Sequence, residues 1–147
     1  DVANKSVQKI ESKYKYASDT AKEPERVATF FAVSCFVGAY NSTSILMSED
    51  TYTEALVTVS FVTPRTNSKE KLAGFVASVV TGELTYDPVK KTLSSYSRGR
   101  GLGDAYVLGT YQIFEGEVIL RRYEIDSTFD GKINGKVVYE SKESLAR

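Results

Sequence analysis

The sequence predicts a mainly β protein, an antiparallel sandwich or a partial barrel with an N-terminal amphipathic helix. Three observations predict this class: short β-branched and aromatic runs, turn signals between them, and few segments with helical spacing. The 147 residues are enough for one domain (1–147), with a helical segment at 1–26 and a β core at 27–140. An α+β fold is the alternative, because one internal segment also fits a helix.

The N-terminal segment 1–26 is polar and rich in lysine. Four residues in it recur at intervals of three and four, the spacing of one helical face: Val7, Ile10, Tyr14 and Ala17. This spacing predicts an amphipathic helix over residues 4–18 that ends before Pro24, since proline cannot continue a helix. A frayed tail is the alternative.

The next segments indicate strands and one ambiguous element. Residues 27–36 are β-branched and aromatic and predict a buried strand, and residues 55–61 alternate apolar and polar side chains as a half-buried strand does. Pro64 and the polar residues that follow it predict a loop. The apolar spacing of residues 68–77 favours a helix, although the valines at 79 and 80 also fit the start of a strand.

The second half of the chain predicts a series of hairpins. Segments 83–86 and 92–96 flank an Asp-Pro turn at 87–90, where proline supplies the fixed φ of a type I turn. Segments 106–114 and 117–125 flank Glu115-Gly116, the tightest hairpin signal in the chain. A last strand at 136–140 follows two Asx-Gly turns. Such spacing is typical of an antiparallel sheet.

Composition excludes several classes of function. Lysine plus arginine and aspartate plus glutamate both number 19, so we expect no nucleic-acid partner, which would require a surplus of cations. The absence of histidine excludes Ser-His-Asp and Cys-His catalysis and the common histidine-based zinc sites. No apolar run is long enough to cross a membrane, so no membrane span is expected. No catalytic residue, metal or cofactor is predicted.

Two further segments favour structural interpretations. Cys35, the single cysteine, lies among Phe31, Val33, Phe36 and Val37, and we expect it to fill the core as a small apolar residue. Residues 126–137 match part of an EF-hand loop, but its last position is valine where calcium needs a bidentate glutamate. A pair of Asx-Gly turns is the favoured interpretation, and a weak calcium site is the alternative.

The candidate site is the glycine-rich segment 97–104, Ser-Arg-Gly-Arg-Gly-Leu-Gly-Asp. Its backbone N–H groups and the guanidinium groups of Arg98 and Arg100 suit an anion such as a carboxylate or phosphate. A strand follows in place of the helix that a nucleotide loop requires, so nucleotide binding is not expected. The structural interpretation, which this segment favours, is a wide hairpin or bulge in which Asp104 caps loop amides or pairs with Arg98 or Arg100.

Tyrosines beside this loop are candidate binding residues. The chain has ten tyrosines, of which five lie near predicted strand ends or beside the glycine-rich segment: Tyr40, Tyr96, Tyr106, Tyr111 and Tyr123. Amphipathic aromatic side chains near loops lose little conformational entropy on binding and make good anchors. Ordinary cross-strand aromatic pairs are the alternative. The predicted binding residues are therefore Tyr96, Arg98, Arg100, Asp104 and Tyr106.

Residues 86–104 contain Tyr-Asp-Pro, then Thr-Leu-Ser-Ser-Tyr, then Ser-Arg-Gly-Arg-Gly-Leu-Gly-Asp. This pattern resembles the FDP…TL-S-F-KGRGLGDCG core of an uncharacterised family of secreted bacterial proteins. Residues 35–41 resemble its C--GAYN segment, and together the matches cover about residues 27–125, the C-terminal half of longer members. Ala105 stands where the family has cysteine, and a second family cysteine after Ile125 is also absent. The disulfide that the family implies is therefore missing here.

The resemblance implies export and a periplasmic or secreted location, with any signal peptide removed before Asp1. It implies no activity. The leading hypothesis is a non-catalytic binding module for an envelope protein or an anionic ligand, in one version inhibitor-like or immunity-like. One alternative is a carboxylate-dependent hydrolase of cell-wall or carbohydrate substrates, which predicts a carboxyl group with a raised pKa in a pocket beside the loop. The other is a purely structural domain.

Overall fold

The computed structural model describes residues 6–51 and 53–143, and within these ranges it contains twelve strands and no helix. All strand pairs are antiparallel. The strands in chain order are β1 Val7–Tyr14, β2 Arg26–Val37, β3 Ser42–Glu49, β4 Leu56–Thr58, β5 Phe61–Thr66, β6 Leu72–Ser78, β7 Val80–Thr81, β8 Glu83–Asp87, β9 Thr92–Arg98, β10 Tyr106–Phe114, β11 Glu117–Asp126 and β12 Lys136–Glu140.

The strands form two five-stranded sheets and a separate hairpin. The first sheet has the order β1-β2-β3, and β4 and β7 pair with different parts of the same free edge of β3. The second sheet has the order β12-β11-β10-β9-β8, and the hairpin consists of β5 and β6. The chain passes from the first sheet to the second at Gly82, between β7 and β8.

The core lies between the two sheets, with side chains of the hairpin at one side. In β1, β3, β9 and β10, buried residues alternate with more exposed ones, as the two-residue period of a strand requires. Phe61 of the hairpin packs edge-to-face on Tyr111 of the second sheet, with ring centroids 5.0 Å apart. The buried cluster comprises Ile10, Phe30, Ala32, Leu46, Phe61, Leu93, Tyr111, Ile113 and Leu120. The predicted mainly β, antiparallel class is confirmed.

The predicted N-terminal helix over residues 4–18 is wrong. Residues 7–14 form β1, which pairs with β2 from Val7 opposite Val33 to Tyr14 opposite Arg26. Ile10 and Ser12 are buried with a period of two, whereas Val7 is 60% exposed. A short segment with only a few apolar residues can fit both the spacing of a helical face and that of a half-buried strand. Pairing with β2 then determines that this segment forms a strand.

The predicted helix over residues 68–77 is also wrong. Its C-terminal part belongs to β6, which pairs with β5, and Pro64 lies within β5 opposite Phe75. A proline is tolerated there because the hairpin has only two strands, so β5 has an edge that needs no N–H donor. The Asn67 side chain accepts hydrogen bonds from the backbone N–H groups of Lys69 and Lys71, which closes the turn.

The other strand predictions agree with the structure, with small changes of boundary. The strand predicted at 55–61 is divided between β4 and the first residue of β5. Glu115 and Gly116 both have positive φ, 50° and 83°, as a two-residue type I′ hairpin requires. The Asp87 side chain accepts hydrogen bonds from the backbone of Val89 and Lys90 in the predicted proline turn.

Cys35 is exposed, which corrects the prediction that it fills the core. The pairing of β2 with β3 shifts between Ser34 and Phe36, so Cys35 is the extra residue of a β-bulge. The bulge interrupts the alternation of faces, and Phe36 beyond it is 64% exposed. The apolar residues of β2 therefore continue to Val37, beyond the bulge at which the strand leaves the core.

Candidate functional site

The glycine-rich segment forms a closed loop between β9 and β10. The Gly99 N–H donates to the Ala105 carbonyl over 2.6 Å, and the Gly103 N–H donates to the Arg100 carbonyl over 3.1 Å. Gly103 has a φ of 72°, in the left-handed region that favours glycine. The loop therefore has a defined shape and is not a flexible linker.

Arg100 and Asp104 are paired with each other. Arg100 Nε donates to Asp104 Oδ1 over 2.7 Å, and its Nη2 donates to Asp104 Oδ2 and, over 3.0 Å, to the Phe129 carbonyl. Asp104 is 2% exposed and also accepts a hydrogen bond from the Gly131 N–H over 2.8 Å. The hydrogen bond from Arg100 holds the pKa of the Asp104 carboxyl well below its usual range. These contacts join the glycine-rich loop to the loop between β11 and β12.

Arg98 is held differently. The Asn41 side chain accepts a hydrogen bond from the Arg98 N–H and donates one to the Arg98 carbonyl, so a single amide fixes both backbone groups. The Arg98 guanidinium lies 5.4 Å from the centre of the Tyr96 ring. Among the residues that the structure describes, this guanidinium forms no ion pair.

The two segments that resemble the exported family are in contact. Asn41 belongs to the first and Arg98 to the second, and they lie 57 residues apart in the chain. A Cβ at Gly101 would lie 2.9 Å from two carbon atoms of the Tyr40 ring, so the ring packs directly on the Gly101 backbone. The sequence contained both segments, but no local pattern predicted that Tyr40 and Asn41 would form one site with the loop.

Tyr96 and Tyr106 pack together beside the loop, with ring centroids 5.9 Å apart. The Tyr106 hydroxyl donates to Glu124, and this hydrogen bond together with burial raises the pKa of Tyr106 to about 12. Tyr106 is only 8% exposed, whereas Tyr96 is half-buried. Of these two tyrosines, Tyr106 is therefore held inside the structure, and Tyr96 supports the Arg98 side chain.

A polar cleft lies between Arg98, the first residues of β1 and the connection between β2 and β3. The cleft has a volume of about 460 Å³, and we call it the Arg98 cleft. It contains one cation, Arg98, one carboxylate, Glu83, and the aromatic ring of Tyr40. Its other polar lining residues are Ser6, Gln8, Ser34, Asn41, Ser42 and Ser44. Of the five predicted binding residues, Arg98 alone lines this cleft.

The segment that resembles a calcium loop is closed by its own hydrogen bonds. Asp126 Oδ1 accepts from the Thr128 N–H and hydroxyl, and Oδ2 accepts from the Asn134 N–H. These bonds lower the pKa of the Asp126 carboxyl. Within residues 6–51 and 53–143, no group of three or more histidine, cysteine, aspartate or glutamate side chains is placed to hold a metal ion.

The shifted pKa values of the described carboxyl groups are explained by ion pairs and by hydrogen bonds to these groups. Each carboxyl group whose pKa departs clearly from its usual value is shifted downward, opposite to the shift of a desolvated general acid. The groups are Glu11, Asp19, Asp87, Asp104, Glu124 and Asp126. The hydrolase hypothesis gains no supporting observation from them.

Comparison with protein-family models, with curated proteins and with solved structures found no match to this chain. The resemblance to an exported bacterial family therefore rests on the two motifs alone and stays a prediction. The described residues include no helix long and apolar enough to cross a membrane.

Proposed function

We propose that this protein is a non-catalytic binding module, and that Arg98 holds an anionic group of its ligand in the Arg98 cleft. The observation that carries the proposal is the contrast between two arginines of one loop. Arg100 directs its donors to Asp104 and a carbonyl, whereas Arg98 has no carboxylate partner among the described residues. An unpaired guanidinium presents a planar fork of donors that fits a carboxylate or a phosphate.

The Arg98 side chain is prepared for binding before the ligand arrives. Asn41 fixes the backbone of Arg98 at both its N–H and its carbonyl. The Tyr96 ring lies beside the guanidinium and restricts its position. A side chain that is already restricted loses less conformational entropy on binding, which leaves more of the interaction energy for affinity.

The lining of the cleft narrows the chemistry of the ligand. Glu83 shares the cleft with Arg98, so the ligand must bring hydrogen-bond donors as well as a negative charge. The Tyr40 ring, which lines the cleft, is 61% exposed and packs on Gly101 of the glycine-rich loop, so it offers an apolar surface to a protein partner. These features support an envelope protein with an exposed carboxylate as ligand, as for an inhibitor or immunity protein. The two family-like motifs support a periplasmic or secreted location.

Calorimetric titration with citrate and with inorganic phosphate tests the role of Arg98. Arg98→Gln is compared with Lys132→Gln, which removes the same charge from an exposed residue outside the cleft. We expect the wild type to bind with a Kd of about 1 mM, and Arg98→Gln to bind about tenfold more weakly, because one charge-assisted contact is lost. Lys132→Gln should bind like the wild type. Equal affinity of the wild type and Arg98→Gln, or no binding by either, would contradict the proposal.

A further inference from the structure

A second concave region is lined by residues of the β5–β6 hairpin, of β7 and of the second sheet. It has a volume of about 520 Å³ and lies between the β5–β6 hairpin and the inner face of the second sheet, within the size range of small-molecule sites. We call it the hydroxyl groove, because seven serine and threonine residues line it: Thr43, Thr63, Thr66, Ser78, Thr81, Ser95 and Ser97.

Several of these hydroxyl groups are available to a ligand. The hydroxyl groups of Ser95 and Thr81 share a hydrogen bond, and the Ser95 hydroxyl accepts another from the Gly82 N–H. The Ser78 hydroxyl donates to the Val80 carbonyl. In the described part of the chain, four hydroxyl groups of the groove make no hydrogen bond to another residue: those of Thr43, Thr63, Thr66 and Ser97. Each hydroxyl can donate one hydrogen bond and accept two, so the groove offers a dense set of uncharged partners.

Among the described residues, sixteen line the groove, and Arg65 is the one charged side chain of this set, which includes no carboxylate. Among the described residues Arg65 forms no ion pair. Arg65 and Tyr123 both line the groove. Burial raises the pKa of Tyr123, and the positive charge of Arg65 opposes this rise. Arg65 therefore supplies an unpaired cation beside the hydroxyl groups.

Gly109 and the ring of Tyr111 lie side by side in the lining of the groove. Gly109 lies opposite Ser95 on β9 and Tyr123 on β11, in the middle of the second sheet. A Cβ there would lie 2.8 Å from a carbon atom of the Tyr111 ring, so only glycine lets that ring lie across β10. The Tyr111 hydroxyl in turn donates to the Val62 carbonyl and ties the hairpin to the sheet.

We propose that the hydroxyl groove binds a saccharide that carries a carboxylate. A sugar ring presents several hydroxyl groups that must each exchange water for a protein partner, and four unpartnered hydroxyl groups with Tyr123 meet that requirement. Arg65 pairs with the acidic group of the sugar. The groove does not include Arg98, so this proposal stands independently of the function proposed for the Arg98 cleft.

NMR titration with trigalacturonate and with neutral galactotriose tests the proposal. We expect backbone signals of the groove residues to shift saturably with trigalacturonate, and galactotriose to bind about tenfold more weakly because it lacks the partner of Arg65. Arg65→Gln should weaken trigalacturonate binding about tenfold. Lys71→Gln, which removes the same charge from the same hairpin outside the groove, should bind like the wild type.

Tyr123→Phe keeps the ring in place and removes one hydroxyl group, and we expect it to bind about threefold more weakly. Circular dichroism of each variant establishes that the fold is kept. Equal binding of the acidic and neutral saccharides, unchanged binding by Arg65→Gln, or no shift of groove signals would overturn the proposal.

Discussion

Replacement of Asn41 by alanine tests how the two family-like segments are held together. The Asn41 amide makes one hydrogen bond to the Arg98 N–H and another to the Arg98 carbonyl. Alanine removes both and leaves the backbone of Arg98 without this support. We therefore expect Asn41→Ala to lower the thermal stability of the protein and to weaken anion binding in the Arg98 cleft.

The size of the stability change follows from the two hydrogen bonds. A typical intramolecular hydrogen bond contributes a net 0.5–1.5 kcal/mol, and partial exposure of Asn41 places these two at the lower end, for a total of about 1–2 kcal/mol. An unfolding entropy of about 2.1 cal/mol/K per residue gives about 0.3 kcal/mol/K for 147 residues. The Tm should therefore fall by about 3–6 °C.

Differential scanning calorimetry measures this change, and Asn67→Ala is the matched control. Asn67 also makes two hydrogen bonds to backbone groups, but both lie within its own turn, far along the chain from Arg98. Both variants should lose stability, whereas only Asn41→Ala should lose citrate affinity. A Tm equal to that of the wild type, or citrate affinity unchanged in Asn41→Ala, would refute the reasoning.

Three further predictions concern acid, alkali and the core. In the folded state, the pKa of Asp104 lies well below its usual value of 3.8, so the stabilising effect of its charge is lost as the pH falls below about 4. The Tm difference between the wild type and Asp104→Asn, measured by thermal denaturation, should therefore shrink below this pH. A constant difference would count against the pairing of Asp104 with Arg100. The hydrogen bond to Glu124 raises the pKa of Tyr106 to about 12, so this residue stabilises the fold less as the pH rises past about 10. Glu124→Gln should lower the pKa of Tyr106, measured by an NMR titration of the tyrosine Cζ. An unchanged pKa would show that Glu124 is not the cause of the rise. Leu46→Ala in the fully buried core should cost about 2–5 kcal/mol in urea unfolding, and a loss under about 1 kcal/mol would contradict the packing described.

The strands that the sequence predicted well are those with local turn chemistry. The turn at Asp87-Pro88 sets the end of β8 and the start of β9, and Glu115-Gly116 sets the end of β10 and the start of β11. The strands of each pair are adjacent in the chain. The segments that form β1 and β6 carry only a few apolar residues at spacings that fit a helix as well as a strand. Their outcome depends on β2 and β5, which no pattern within either segment can reveal.

The candidate site was predictable to the same extent. The ion pair of Arg100 and Asp104 was one of the alternatives that the glycine-rich segment allowed, because the two residues are four apart in one loop. The contact of Asn41 with Arg98 joins different sheets and could not be read from either segment. The hydroxyl groove likewise draws its lining from both sheets and the hairpin, so single threonines and serines gave no signal in the sequence.

The measurement that tests the central claim most directly is the side-chain NMR signal of Arg98 during a citrate titration. The Nε–Hε signals of arginine report contacts of each guanidinium separately, so Arg98 and Arg100 are observed in one sample. If Arg98 is the unpaired binding cation, its signal shifts saturably with citrate. The signal of Arg100 does not shift, because the Arg100 guanidinium is already paired with Asp104. If the Arg98 signal does not move, or both signals move alike, the Arg98 cleft does not hold the anion and the proposed function is contradicted.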